Sequence, residues 1–281
     1  MKDHSRRSPI ERAAKAIEKH YRAFTEVSGV NLEDAERILQ RLLGFAFPHY
    51  VPKAERTAKG IRTRLRGLCA DLVSAFARAG TGDTKTAAAW ADAFLADLPA
   101  LAEFVRLDAE ALHKSDPASK SLSEVVLAYP GCFAVSAYRF AHALLKQGVP
   151  LLPRLIAEVA HRQTGIDINP GAAIGRALYI DHGTGVVIGE TAVIGDNVQI
   201  YQGVTLGALK VEKAMSDKKR HPTIEDNVVI YANATILGGR TVIGHDSVIG
   251  GNVWITQSVL PHSRVMYKSS DEAESGLNWT I

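Results

Sequence analysis

A chain of 281 residues is long enough to bury a sizeable core, so it needs neither disulfides nor metals merely to be stable. With 46% hydrophobic and 22% charged residues and a formal net charge of +3, its balance excludes a disordered chain and a dedicated nucleic-acid binder. Cys69 and Cys132 are the only cysteines and lie far apart in apolar or helical surroundings, which argues against a disulfide framework or a thiolate zinc site and fits a reducing compartment.

The first stretch, "MKDHSRRSPIERAAKAIEKHY", is charged throughout and lacks the apolar segment of a signal peptide, and no later run reaches membrane-spanning length. A cytoplasmic location is the expectation. From about Ser8 to Gln163 the apolar residues follow helical spacing. In "AERILQRLLGFAF" the residues Ile38, Leu39, Leu42 and Leu43 make one stripe behind Asn31 and Asp34, a cap pair, with Gly44 near the stop. Further helices are predicted over 51–78, 84–113 and 130–162, separated by the turn signals "GTGD", "KSDPASKS" and "AYPG". The helix through "CFAVSAYRFAHALLKQ" is apolar on much of its surface, so it should be buried.

After Thr164 the period changes. Ile168, Ile174 and Ile180 step by six, as do Ile188, Ile194, Ile200 and Leu206, then Ile224, Ile230 and Ile236, then Ile243, Ile249 and Ile255. Four places after most of these comes a small or β-branched residue, among them Ala172, Thr184, Ala192, Val198 and Val259. No helix holds a strict period of six on one face, and alternating strands do not repeat glycine at one phase. The pattern is the hexapeptide repeat of a parallel β-helix, whose neighbouring coils bury one another's isoleucines. The fold class is therefore α+β. The chain divides into an α-helical domain over 1–163, a β-helix over 164–266 and a flexible tail over 267–281.

Breaks in a solenoid mark loops that leave the wall and carry chemistry. The first is the eight-residue step holding Asp181, His182, Gly183, Thr184 and Gly185. The second is "GALKVEKAMSDKKRHPT", which must be an excursion because the interior phase would bury Glu212 and Lys218. It ends in Arg220, His221 and Pro222 as the repeat resumes. A third, of one residue, lies at "ILGGRTVIG". These breaks are expected to place Asp181, His182, Arg220 and His221 near one another on a stiff frame.

That arrangement resembles serine O-acetyltransferase. The resemblance runs from roughly Asp116 to Val265 and rests on "SDPASKS", "YPGCFAVSAYRFAHAL", "GIDINPGAAIGRALYIDHGTGVVIGETAVIGDNVQIYQGVTLG" and "RHPTIEDNVVIYANATILGG". "DHGTGVVIGET" combined with "RHP" is much narrower than the hexapeptide motif itself. The resemblance implies a left-handed solenoid and transfer of acetyl from acetyl-CoA to L-serine in cysteine biosynthesis.

Serine's hydroxyl is a weak nucleophile, so the reaction needs a base within reach, and a neutral imidazole held by a carboxylate supplies one. The resemblance implies His182 as base and Asp167 as the orienting acid. It assigns Asp116 and Asp181 to the substrate ammonium, and Arg220 and His221 to its carboxylate. It places acetyl-CoA near Gly207, Ala208 and Ala232, with Lys210, Lys213, Lys218 and Lys219 toward the phosphates. Ala208 and the Lys/Glu-rich stretch after it depart from the glycine-rich loop common in the family. The resemblance further implies a homotrimer or dimer of trimers whose sites form between chains, feedback inhibition by cysteine, and docking of the terminal Ile281 into O-acetylserine sulfhydrylase. No metal, nucleic acid or membrane is expected.

Each of these residues also has a plainer reading. Arg220 and His221 could be loop charges, Asp116 a turn former before Pro117, and the lysines a solvated face. Glu190 fits a supporting role or an exposed corner, and His245 reads as an outward repeat residue. Two other enzymes compete: an acetyltransferase with a sugar or antibiotic acceptor, which would have no ammonium for the carboxylates to meet, and a zinc enzyme of the carbonic anhydrase type. The zinc enzyme needs three histidines where only His182 and His221 are suitably placed. A non-catalytic scaffold for the sulfhydrylase is the remaining alternative.

Overall fold

The computed structural model describes residues 8–24, 29–81, 83–209 and 218–267. Helix α1 (Pro9–Tyr21) starts at a capping box between Ser8 and Glu11. The predicted cap pair opens α2 (Leu32–Ala46): Asn31 Oδ1 accepts the Asp34 N–H at 3.0 Å, and Asp34 Oδ2 accepts the Asn31 N–H at 3.2 Å. The next helix begins later than expected. Pro52 and two single 3₁₀ turns (Pro48–Tyr50 and Lys53–Glu55) delay α3 (Ala58–Phe76), which Thr57 caps. Then come α4 (Thr84–Ser115), α5 (Leu122–Ala128), α6 (Pro130–Lys146) and α7 (Leu152–Thr164). The single helix expected over 130–162 is thus two, because Pro150 lacks a backbone donor while Gly148 and Leu151 take positive φ of 81° and 57°.

Short strands follow, and among the described residues they are β1 (Asp167–Ile168), β2 (Ala173–Ile174), β3 (Tyr179–Ile180), β4 (Val187–Ile188), β5 (Val193–Ile194), β6 (Gln199–Ile200), β7 (Thr205–Gly207), β8 (Thr223–Ile224), β9 (Val229–Ile230), β10 (Thr235–Leu237), β11 (Val242–Ile243), β12 (Val248–Ile249), β13 (Trp254–Ile255) and β14 (Arg264–Val265). They form three parallel sheets, ordered β1-β4-β7-β10-β13, β2-β5-β8-β11 and β3-β6-β9-β12-β14, the faces of a left-handed parallel β-helix. Each strand pairs with the one three places on, except that β12 pairs with β14, so the repeat isoleucines stack: Ile168 on Ile188, Ile188 on Leu206, and Leu206 on Ile236. Those inward residues are almost wholly buried. Two of the three corners are turned by left-handed residues, including Asn197, Asn227, Asp246 and His262 on one and Gly203, Asn233 and Asn252 on the other.

Register shows what each break does. Ile188 pairs with Leu206, the regular spacing of three repeat units, whereas Ile180 pairs with Ile200, two positions beyond that spacing. The first break therefore widens one corner by those two positions. Ile194 pairs directly with Ile224, so the whole excursion belongs to the coil between them and the wall closes over it intact. Ile230 pairs with Ile249, one position beyond the regular spacing, which accounts for the third break. Most of the small or β-branched residues four places after the repeat isoleucines are buried at the corners, but two differ. Thr184 is exposed because the longer step passes its place to the buried Val186, and Val259 bridges to Ile243, joining a face rather than filling a corner.

Helix α6 closes the first coil. Its Ala134, Val135 and Tyr138 belong to the solenoid core, and Tyr138 Oη donates to Ala172 O at 2.5 Å. A buried ion pair fixes the junction: Arg139 donates to Asp108 Oδ2 at 2.8 Å and to Ile174 O at 2.7 Å, while Asp108 accepts the Leu178 N–H at 3.0 Å. Because both charges are paired and hydrogen-bonded, removing either would leave its partner buried and uncompensated. The contact anchors α4 to the wall beside β3. The end of α4 is thereby aimed at the first break.

Candidate active site

The first break is the corner between β3 and β4. His182 takes φ +54°, and Gly183 and Gly185 follow at +77° and +82°. Glycine adopts that region freely, whereas a histidine there costs roughly 1–2 kcal/mol, so the surroundings must hold it. Asp181 supplies the hold, its Oδ1 accepting the His182 N–H at 2.8 Å. The imidazole projects outward with 71% of its side-chain surface exposed, and its Nε2 lies 3.7 Å from Asp181 Oδ2.

Asp116, immediately after α4, joins this corner. Its Oδ2 accepts from Tyr129 Oη at 2.6 Å and its Oδ1 from the Ala118 N–H at 2.8 Å. These two bonds, with a smaller contribution from the nearby His182, hold the carboxyl below the ordinary carboxylate range, and the same contact pushes the Tyr129 hydroxyl up to about 12. Tyr179, Tyr201 and Tyr231 line the adjoining face, the first pair edge to face at 6.0 Å and the second stacked at 5.2 Å. Burial, and then Asp181, raises the Tyr179 hydroxyl. Ionised Asp116 therefore sits beside protonated phenols at neutral pH.

Arg220 and His221 lie on the next corner, beyond β4. Thr191 Oγ1 accepts from the backbone N–H groups of Arg220 and His221 at 2.9 and 3.1 Å, and the Thr191 N–H donates to His221 Nδ1 at 3.0 Å. An amide can only donate, so Nδ1 is the acceptor and the ring proton resides on Nε2. Burial, followed by the charges of Arg220 and Lys219, brings the His221 pKa down to about 4. His221 is accordingly a neutral donor, not a cation. Arg220 pairs with Glu190, which gives that corner residue its supporting role. Gly189 packs so closely on the imidazole that any Cβ would strike it.

The other expected residues are spread about the frame. Asp167 lies on the outer side of β1, where its Oδ1 meets Arg154 Nη1 at 3.4 Å; it is not hydrogen-bonded to His182 within this chain. Gly207 ends β7 and Ala208 follows it on the His221 side, while Ala232 turns the corner above the His182 side. Lys218 is exposed, whereas Lys219 Nζ donates to Thr191 O at 2.7 Å and to Pro222 O at 3.1 Å, closing the base of the excursion. Lys210, Lys213 and Ile281 lie outside the described residues. The chain thus brings Asp116, Asp181 and His182 together on one corner, and Arg220 and His221 together on another, with β4 between them. Sequence reading passed over Tyr129, Thr191 and Gly189; their signal was adjacency to "AYPG" and "GET".

No family model matches the chain. It is similar to a plasmid-borne serine acetyltransferase of Synechococcus elongatus, 50% identical over 191 residues that make up 66% of this chain and 60% of that one. A serine acetyltransferase of Bacillus pumilus is 45% identical over 58% of this chain and 73% of its own length. The chain spans about three fifths of the length of the first of these curated relatives. Among solved structures, Entamoeba histolytica serine acetyltransferase 1 in complex with L-cysteine matches with TM-score 0.76 and 36% identity, over 84% of this chain and 86% of that one. Neisseria gonorrhoeae serine acetyltransferase in complex with serine matches with TM-score 0.56 and 29% identity, over 84% and 95%.

Proposed function

The chain belongs to the serine acetyltransferase family, and on that premise we propose that it transfers acetyl from acetyl-CoA to the hydroxyl of L-serine, giving O-acetyl-L-serine and CoA for cysteine biosynthesis. The observation that carries this reading is the first corner, where an exposed imidazole on strained backbone stands beside two carboxylates. Left-handed backbone is common at the solenoid's corners; what sets this one apart is its two added positions and an imidazole presented beside carboxylates. The carboxylates suit an amino acid's ammonium and have no counterpart on a neutral sugar.

In the proposed reaction the serine oxygen attacks the thioester carbonyl while His182 takes its proton. The C–O bond forms, the C–S bond breaks, and the proton passes to the departing CoA sulfur. Asp167 is assigned to orient the base, Asp116 and Asp181 to receive the ammonium, and Arg220 and the His221 Nε2–H to hold the carboxylate. CoA is assigned to the strip from Gly207 and Ala208 toward Ala232, with Lys218 at its phosphates and Lys219 acting through the loop base.

Because β4 separates the two corners, one chain offers half of a site at each. A homotrimer, or a dimer of trimers, would set the His182 corner of one copy against the His221 corner of the next. The helical segment over 1–163 then supplies Asp116, the β-helix over 164–266 carries the chemistry, and 267–281 is a tail whose Ile281 would meet O-acetylserine sulfhydrylase. Cysteine, lacking the attacking oxygen, would occupy the serine site as inhibitor. A cytoplasmic location belongs to the same proposal; among the described residues no helix is long and apolar enough to cross a membrane. Thiol release from acetyl-CoA, measured with serine, homoserine and simple sugars, tests the reading. Release with serine alone is the expected result, and none with serine overturns it.

A further inference from the structure

Another cluster of ionisable side chains lies away from both corners, at the far end of the solenoid. His245 and Asp246 turn the chain from β11 to β12, and His262 makes the same turn one coil later, before β14. Asp246 and His262 both hold left-handed backbone, at φ +57° and +58°. The His262 N–H donates to His245 O at 2.9 Å, and β12 pairs with β14, so the register between these coils is fixed. The two imidazoles consequently meet edge to face with ring centroids 4.8 Å apart. Asp246 Oδ2 lies between them, 2.7 Å from His245 Nδ1 and 3.7 Å from His262 Nδ1. The ligand atoms offered by all three residues lie within 4.8 Å of one another. From the coil below, Asn227 Nδ2 donates to the other oxygen, Asp246 Oδ1, at 3.0 Å.

We propose that His245, Asp246 and His262 bind one divalent transition-metal ion of the zinc class. Two imidazoles and one carboxylate suit zinc, nickel or cobalt, whereas calcium and magnesium call for oxygen ligands. An ion with bonds of about 2.0–2.2 Å in tetrahedral geometry spaces its ligand atoms about 3.4 Å apart. The 3.7 Å separation already fits, the 2.7 Å hydrogen bond needs to open by about 0.7 Å, and the widest pair, within 4.8 Å, needs to close to admit the ion. Asn227 serves as the outer partner that orients a metal-bound carboxylate. Asp246 and His262 are exposed and His245 is half-buried, which leaves positions for water on the ion. With ligands drawn from two successive coils, the ion would tie the last coil to the one before it. It lies on a different corner from both His182 and His221, so this binding stands or falls independently of acetyl transfer.

Untagged full-length chain, stripped with chelator, is titrated with Zn²⁺ alone by calorimetry and with Co²⁺ alone by visible absorption. The expected result is one ion per chain with micromolar affinity and a rise of a few degrees in melting temperature. His262→Ala and Asp246→Asn should each weaken binding at least tenfold. Asparagine keeps both the left-handed backbone and a partner for Asn227, so Asp246→Asn reads ligation without risk to the fold. His182→Ala should bind as the wild type does. Failure of both ions to bind, binding that survives a His245→Ala/His262→Ala double variant, or loss of binding in His182→Ala would each overturn the proposal.

Discussion

The corners on either side of β4 use histidine in opposite ways. At the first, the solenoid widens and pushes His182 out among carboxylates. At the second, the chain leaves the wall for a long excursion, and on its return His221 is pressed onto Gly189, tethered through Thr191 and kept neutral. One imidazole is presented with strain and the other is packed without it. Exposure leaves a ring free to take and return a proton, while burial fixes a tautomer and a direction, so the first corner suits a base and the second a recognition donor.

Removing the exposed ring should have the largest effect. His182→Ala is expected to lower turnover about 10²–10⁴-fold with little change in melting temperature, because the outward ring has few packing contacts to lose and the Cβ that sets the backbone cost is kept. Steady-state kinetics paired with thermal melts checks this, and near-normal serine acetylation would remove the base assignment.

Crowding the buried ring comes next. Gly189→Ala drives a Cβ into His221 and should destabilise the fold by about 1–3 kcal/mol, measurable by urea unfolding. The same contrast has a pH signature. The His221 pKa falls on folding, so below about 6.5 the unfolded chain binds the extra proton and stability declines until the native ring also protonates near 4. The loss across that window should be at most about 3 kcal/mol, and His221→Gln should flatten it. An equal slope in the glutamine variant would show that another group is responsible.

Back on the exposed corner, Asp167→Asn should lower kcat with little change in the serine KM, whereas Asp181→Asn should mainly raise that KM. The reverse pattern would make Asp181, the acid nearer the ring, the orienting group. Smallest of all, Tyr129→Phe removes the principal bond holding the Asp116 carboxyl down, so its pKa should return toward the ordinary range. The serine KM should rise several-fold, most clearly at mildly acidic pH.

Much of the frame was legible in the residues. Isoleucines at a step of six cannot share a helix face, and their stacking follows from the period alone. The Asn31–Asp34 box opened α2 as expected, the first break showed as an eight-residue step, and the second fell where Glu212 and Lys218 would otherwise have been buried. What escaped was set by distant partners. The end of α6 is the exception: Gly148 and Pro150 signal it locally, and only the closing of the first coil by Ala134, Val135 and Tyr138 depends on distant residues. Thr191 reads as an ordinary corner residue until Arg220 and His221 return to it from the far side of the excursion. Lys219 reads as a loop cation until the excursion closes and two carbonyls take its ammonium.

The sequence by itself determined the helical first half, the six-residue solenoid, the residues that face its core, and the two places where the wall opens. Each is a local matter of period and of the cost of burying charge. Only the tertiary structure decided that the openings lie on different corners, that His182 is exposed while His221 is buried and neutral, and that His245 and His262 meet around one carboxylate. Those outcomes depend on register between coils and on desolvation by packing, which come from residues distant in the chain and have no local signature.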